Sequence, residues 1–219
     1  MIRRHGYRRL VRTRLVFVRH GESAHAVEGI VGGPRACRGL TDRGRAQAAS
    51  LAHRLAAERA AWAEVAVYSS TLPRAIETAA PIAELLGVPA ATDCGLCTWH
   101  YTAEVDGVPK AELDERFGVP GGGVFRPFQR GAETWAELLV RTGRAIVDIA
   151  DRHRGGTAIL VAHTETVCAS FHALGLLSPY TPFDVVVDYG SLTDWWTDDD
   201  PTQMPPARWT LARLNHPTS

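Results

Sequence analysis

Lysine is almost missing from this chain: Lys110 stands alone among 24 basic residues, all the others being arginine. That imbalance reads mainly as codon bias, with selection for phosphate binding as the secondary reading. An excess of either charge is missing too, since 24 acidic residues bring the formal net charge to zero. Neither a nucleic-acid surface nor a membrane surface is expected on that ground. Cysteine is sparse. Cys37, Cys94, Cys97 and Cys168 are few for 219 residues and no secretory signal precedes them, which argues against a disulfide framework. Cys94-x-x-Cys97 lacks a second such pair or a histidine pair at zinc-finger spacing. Reduced structural thiols are therefore expected, with no metal. The first fourteen residues are basic and have no apolar stretch, so no signal peptide or membrane anchor is expected and the cytoplasm is the default location.

What remains is ordinary globular material. An apolar share of 45% and a charged share of 22% suit a folded domain, and 219 residues suffice for one with a substantial core. The expected organisation is a basic, flexible arm over 1–14 and a single domain over 15–219. Arg4-His5-Gly6 in the arm follows no strand and is read as coincidence. Strands are expected over Leu15–Val18, Ala63–Tyr68 and Thr157–Ala162, with an edge strand at Val88–Thr92. Helices are expected over Arg43–Arg59 behind a Thr41-Asp42 cap, over Leu72–Leu86 behind Ser69-Ser70-Thr71, and over Ala132–His153 and Thr166–Leu174. A short helix is expected at Lys110–Phe117, and closing strands at Val185–Val187, Leu192–Trp196 and Trp209–Leu214. Alternating strands and helices imply an α/β three-layer sandwich around a mostly parallel central sheet.

Chemistry concentrates where strands end. Arg19-His20-Gly21-Glu22 follows the first apolar run, and Ser69-Ser70-Thr71-Leu72-Pro73-Arg74 lies at a second strand-to-helix junction. Ala162-His163-Thr164-Glu165-Thr166 lies at a third, and Gly131-Ala132-Glu133-Thr134 joins them as a fourth segment. Strand carboxyl ends in a parallel sheet share one edge, the usual place for ligands. His20, Arg74 and His163 can thus converge, and an imidazole beside guanidiniums suits a site that holds and attacks a phosphate.

Together these segments resemble the histidine phosphatase superfamily, also called phosphoglycerate mutase-like, with Leu40-Thr41-Asp42-Arg43-Gly44 and Trp209–Asn215 adding to the match. The resemblance implies that His20 is the phosphoryl-accepting nucleophile. It implies that Arg19 and Arg74 clamp phosphoryl oxygens and that His163 hydrogen-bonds the group in flight. The implied activity is a cofactor-independent phosphomonoesterase acting on a small phosphorylated metabolite, without metal, nucleic-acid or membrane partners. A homodimer is left open. Phosphohistidine phosphatase, mutase-type transfer and recruitment to another reaction or to ligand binding stay open as alternatives.

The chain departs from that family in its proton donor. The stretch Leu96–Gly107 places Thr98 or Trp99 where an acidic residue is usual. His163-Thr164-Glu165-Thr166 instead resembles the His-Ala-Glu-Thr of inositol polyphosphate phosphatases, which implies Glu165 as donor; a plain helix-terminal carboxylate is the other reading. Glu104, Asp106 and His100 are weaker candidates. Trp99, His100, Tyr101 and Phe125 fall in a variable lid segment over 95–131 and are expected to roof the pocket or to form lid core. Arg126 and Arg130 are expected to face solvent, with binding of extra anionic groups as the other reading.

Overall fold

The structure, a computed structural model, describes residues 12–181 and 183–217. Arg4-His5-Gly6 and most of the expected arm lie outside the described residues. In chain order the elements are β1 (Thr13–Arg19), α1 (Ala24–Val27), α2 (Asp42–Glu58), β2 (Val65–Ser69), α3 (Pro73–Leu86) and β3 (Ala90–Thr92). There follow α4 (Leu113–Phe117), α5 (Trp135–Arg152), β4 (Thr157–Ala162), α6 (Thr164–Ala173), β5 (Leu192–Thr197) and β6 (Thr210–His216). Among the described residues the strands form one sheet in the order β3-β2-β4-β1-β5-β6. Strands β1 to β4 run parallel, β5 runs antiparallel to β1, and β6 runs antiparallel to β5.

Alternation along β1 builds the layers. Leu15 and Phe17 face a core with Ile146 and Ile149 of α5 and Val167 of α6. Val16 and Val18 face the opposite core with Leu51 and Leu55 of α2 and Ile82 of α3. β4 lies between β1 and β2 and is buried at every position, as a strand covered on both faces must be. The three-layer α/β architecture is therefore observed.

Local differences have physical causes. β1 starts at Thr13, inside the expected arm, because Thr13 and Arg14 already pair with Thr197 and Trp196. α5 starts at Trp135 rather than near Ala132, since Thr134 and Glu137 form a reciprocal capping box there. The expected strand at Val185–Val187 does not form. β1 already has β4 and β5 as its two neighbours, so that segment runs as irregular chain. No helix among the described residues is long and apolar enough to cross a membrane.

Candidate active site

Register in the sheet does the assembling. Arg19 aligns with Ala162 and Ser69 aligns with Val161, so β1, β4 and β2 end side by side. The amide of His20 donates to the Ala162 carbonyl at 3.0 Å, and that of Ser70 donates to Val161 at 3.0 Å. Each chain thus leaves the sheet beside the next. His20 and His163 face each other with ring centroids 5.1 Å apart. Gly21 allows the loop after β1 to press on the first turn of α2: a Cβ there would lie 2.4 Å from the Gly44 carbonyl oxygen.

His20 is 5% exposed. Its Nδ1 lies 2.7 Å from the Gly21 carbonyl oxygen, which can only accept, so Nδ1 carries the proton. Nε2 is left with its lone pair, and it accepts from Arg74 Nε at 3.1 Å. Burial first, and the charge of Arg74 next, hold this imidazole well below the ordinary histidine range. His163, 2% exposed, is held down by the same two causes. It is the N-cap residue of α6, and its Nε2 lies 2.7 Å from Ser70 Oγ. Ser69-Ser70-Thr71 therefore does not cap α3 as expected. Leu72 is the N-cap, without a side-chain bond, and Pro73 opens the helix. The Ser70 hydroxyl is spent on the histidine instead.

Arg74 is 3% exposed and also donates from Nη1 to the Gly32 carbonyl at 2.8 Å. Arg19 lies with its guanidinium 3.8 Å from the Tyr189 ring centroid and donates to the Val187 carbonyl, while its buried Nε has no partner among the described residues. Neither arginine has a carboxylate at ion-pair distance among the described residues. Two largely buried cations beside two neutral imidazoles bias the site toward positive charge, which Glu165 and Asp188 offset at Arg19 only through space and without an ion pair. Burying such charge is costly unless an anion arrives to pair with it.

These residues floor a cavity of about 640 Å³, a size typical of small-molecule sites. Glu165, in the first turn of α6, lines it, as do Thr98, Trp99, His100 and Tyr101. Phe125 does not; it is 70% exposed and meets Tyr180 edge-on. Glu133 does not either, being engaged by Arg141. Of the expected lid over 95–131, the part beyond Leu113 stays off the cavity wall. Arg126 and Arg130 face solvent. Asp106 reaches the wall but accepts from the backbone amides of Gly33, Arg35 and Ala36, and Glu104 does not line the cavity. Tyr189, His25, Arg35 and Lys110 also line it. Tyr189, Arg35 and Lys110 lie outside the strand-to-helix junctions that the sequence singles out, and His25 lies in α1, just past the Arg19–Ser23 segment.

A parallel sheet edge carrying paired histidines and paired arginines on the floor of a small-molecule cavity defines an α/β protein with a cationic pocket at its strand ends. The chain belongs to the histidine phosphatase superfamily, branch 1, whose family model matches residues 15–209. It is 30% identical over 165 residues to a metal-independent phosphoserine phosphatase of Arabidopsis thaliana, covering 69% of this chain and 64% of that protein. It is 31% identical over 164 residues to phosphoglycerate mutase-like protein 4 of the same plant, covering 68% and 65%. The matched region is thus a little under two thirds of the length of these curated relatives. The solved structure of a mycobacterial glucosyl-3-phosphoglycerate phosphatase in complex with VO3 has the same fold, with a TM-score of 0.74, 24% identity, and coverage of 93% of this chain and 99% of that one.

Proposed function

We propose that the protein is a phosphomonoesterase in which His20 itself takes the phosphoryl group from a small phosphorylated metabolite. The observation that carries this reading is the pair of largely buried guanidiniums, with no carboxylate at ion-pair distance among the described residues, around a neutral imidazole whose unprotonated nitrogen faces Arg74. Phosphoryl transfer is mostly positioning and charge neutralisation, and arginine forks supply both for equatorial oxygens.

In this reading the Nε2 lone pair of His20 forms the N–P bond as the ester P–O bond breaks. Gly21 steadies the Nδ1 proton while the ring gains positive charge. Arg74 shifts from Nε2 to the phosphoryl oxygens, with Arg19 opposite. His163 and Ser70 provide further hydrogen bonds. Glu165 gives its proton to the leaving oxygen, a step worth ~10²–10⁴ in rate. It then takes a proton from the water that attacks phosphorus, and the N–P bond breaks to release phosphate. Lys110 on the cavity wall, where Arg35 is already paired with Asp106, favours a substrate with a second anionic group. A carboxylate fits, as in the phosphoserine for which one relative is named.

Rapid mixing with a panel of carboxylated and uncharged phosphomonoesters, quenched in base to preserve a phosphoramidate, tests the reading. Phosphate should appear transiently on His20, and His20→Ala should abolish turnover with a nearly unchanged thermal midpoint. Retained turnover, or a phosphoryl group on another residue, overturns the assignment.

A further inference from the structure

The cavity wall also carries a cluster that phosphoryl transfer does not use. Cys94, Cys97 and His100 follow one another at three-residue spacing, and their two sulfurs and an imidazole nitrogen all lie within 4.8 Å of one another. Zinc bonds of about 2.3 Å to sulfur and about 2.0 Å to nitrogen impose a tetrahedral S···N edge of about 3.6 Å. Cys94 Sγ lies 3.5 Å from His100 Nε2. Cys94 and His100 are exposed, so side-chain rotation can draw the remaining separations in. Cys37 is buried and lies outside the cluster, in keeping with a structural thiol, and Cys97 is buried within it. The expectation of structural thiols does not describe an exposed thiol paired with an exposed imidazole on a cavity wall.

The backbone beneath the cluster is held in place independently. A 3₁₀ turn over Cys94–Leu96 is capped by Asp93, whose Oδ1 accepts from the Gly95 amide at 2.7 Å. Gly95 lies so close to α5 that a Cβ would meet the Ala145 Cβ at 2.4 Å. Arg141 donates to the carbonyls of Cys94, Gly95, Cys97 and Thr98 at 3.0 to 3.2 Å. Glu133 pairs with Arg141 and accepts from the His100 amide at 2.9 Å. One ion pair therefore positions all three donors, the outer support that metal ligands need.

We propose that Cys94, Cys97 and His100 bind one zinc-class divalent cation through two thiolates and an imidazole. Such a donor set selects borderline-soft ions over magnesium or calcium. Binding releases the two thiol protons to solvent. All three residues line the cavity that His20 and Glu165 also line, so the remaining coordination position opens on it, the pattern of three-ligand zinc sites. The ion anchors the wall segment that bears Trp99 and offers a Lewis-acidic contact to a substrate oxygen. His20 accepts the phosphoryl group without it.

The test uses the full-length, tag-free chain, reduced, stripped with a chelator and titrated with Zn²⁺ or Co²⁺ alone. One equivalent per chain is expected, with sulfur-to-cobalt charge-transfer absorption and intense tetrahedral d–d bands. Cys94→Ser and His100→Asn alter exposed side chains, and each should weaken zinc binding at least ~100-fold, above the ~10–100-fold typical of losing an outer-shell partner. Thermal melts of the stripped proteins check that both variants fold. Absent uptake, uptake unchanged in folded Cys94→Ser, or a cobalt spectrum without sulfur bands would each overturn the proposal. These readouts involve no phosphate chemistry, so the assignment of His20 stands or falls separately.

Discussion

Replacing Arg74 by methionine removes a full charge from the floor of the cavity and keeps much of the side-chain length. Two structural consequences oppose each other. The buried cation has no carboxylate at ion-pair distance among the described residues, and desolvating a charge costs several kcal/mol even after relaxation. The variant recovers that. It also strands the Gly32 carbonyl, which accepts from Nη1 at 2.8 Å, at about 1–3 kcal/mol. The thermal midpoint should therefore stay level or rise. Function should move the other way. Two charge-assisted hydrogen bonds to a phosphoryl group, at about 1.5–3 kcal/mol each, amount to ~10²–10⁴ in kcat/KM and in phosphate affinity. Inorganic phosphate at about 100 times Kd stabilises a protein by about 2.7 kcal/mol, or about 5–10 °C for a domain of this size. At the same concentration Arg74→Met should shift by at most about 1–2 °C. Differential scanning fluorimetry with and without phosphate reads both effects. A full phosphate shift in the variant, or kcat/KM within tenfold of the parent, would refute the reasoning.

Three other perturbations probe separate links. Glu165→Gln should slow alkyl phosphates far more than p-nitrophenyl phosphate, whose leaving group needs no proton; equal slowing would assign Glu165 a merely structural role. Gly21→Ala places a Cβ 2.4 Å from the Gly44 carbonyl oxygen and should cost about 1–3 kcal/mol by overpacking, read as a lower urea midpoint; an unchanged midpoint would show that the loop can yield. Acid should destabilise the fold early. His20 and His163 are neutral in the folded chain, with burial and Arg74 holding both well below their unfolded value of about 6.5. The unfolded chain takes up protons first, so stability is full above that value and falls as pH drops from about 6.5 toward 5, by up to about 1.4 kcal/mol per unit for each histidine. Urea midpoints at three pH values across this window check the slope, and a flat profile would remove buried neutral histidines from the account.

Much of the architecture was legible because β1, β2 and β4 are short apolar runs and α2, α3 and α5 carry a 3.6-residue period, with caps and breaks attached. The approach of His20, Ser70 and His163 follows from strand carboxyl ends sharing an edge, a rule that needs no side-chain detail. Other features left no local trace. Ser70 reads as a helix cap, yet its hydroxyl lies 2.7 Å from His163 Nε2, 93 residues along the chain. Tyr189 follows a segment that reads as a strand, and its place against Arg19 depends on β1 having no free edge. Phe125 and Glu133 look like cavity residues by position in the chain, but the turn into α5 directs one to solvent and the other to Arg141.

By itself the amino-acid order determined which segments are strands and helices, and that histidine and arginine would crowd one rim of a sheet, because backbone propensity and alternation are short-range. Only the tertiary structure decided the electrostatics of that rim. Whether a guanidinium finds a carboxylate, whether an imidazole is neutral, and whether two thiols and a histidine share a few ångströms all depend on neighbours far away in sequence. Charge acts through space, with a strength set by burial, and neither distance nor burial is written along the chain.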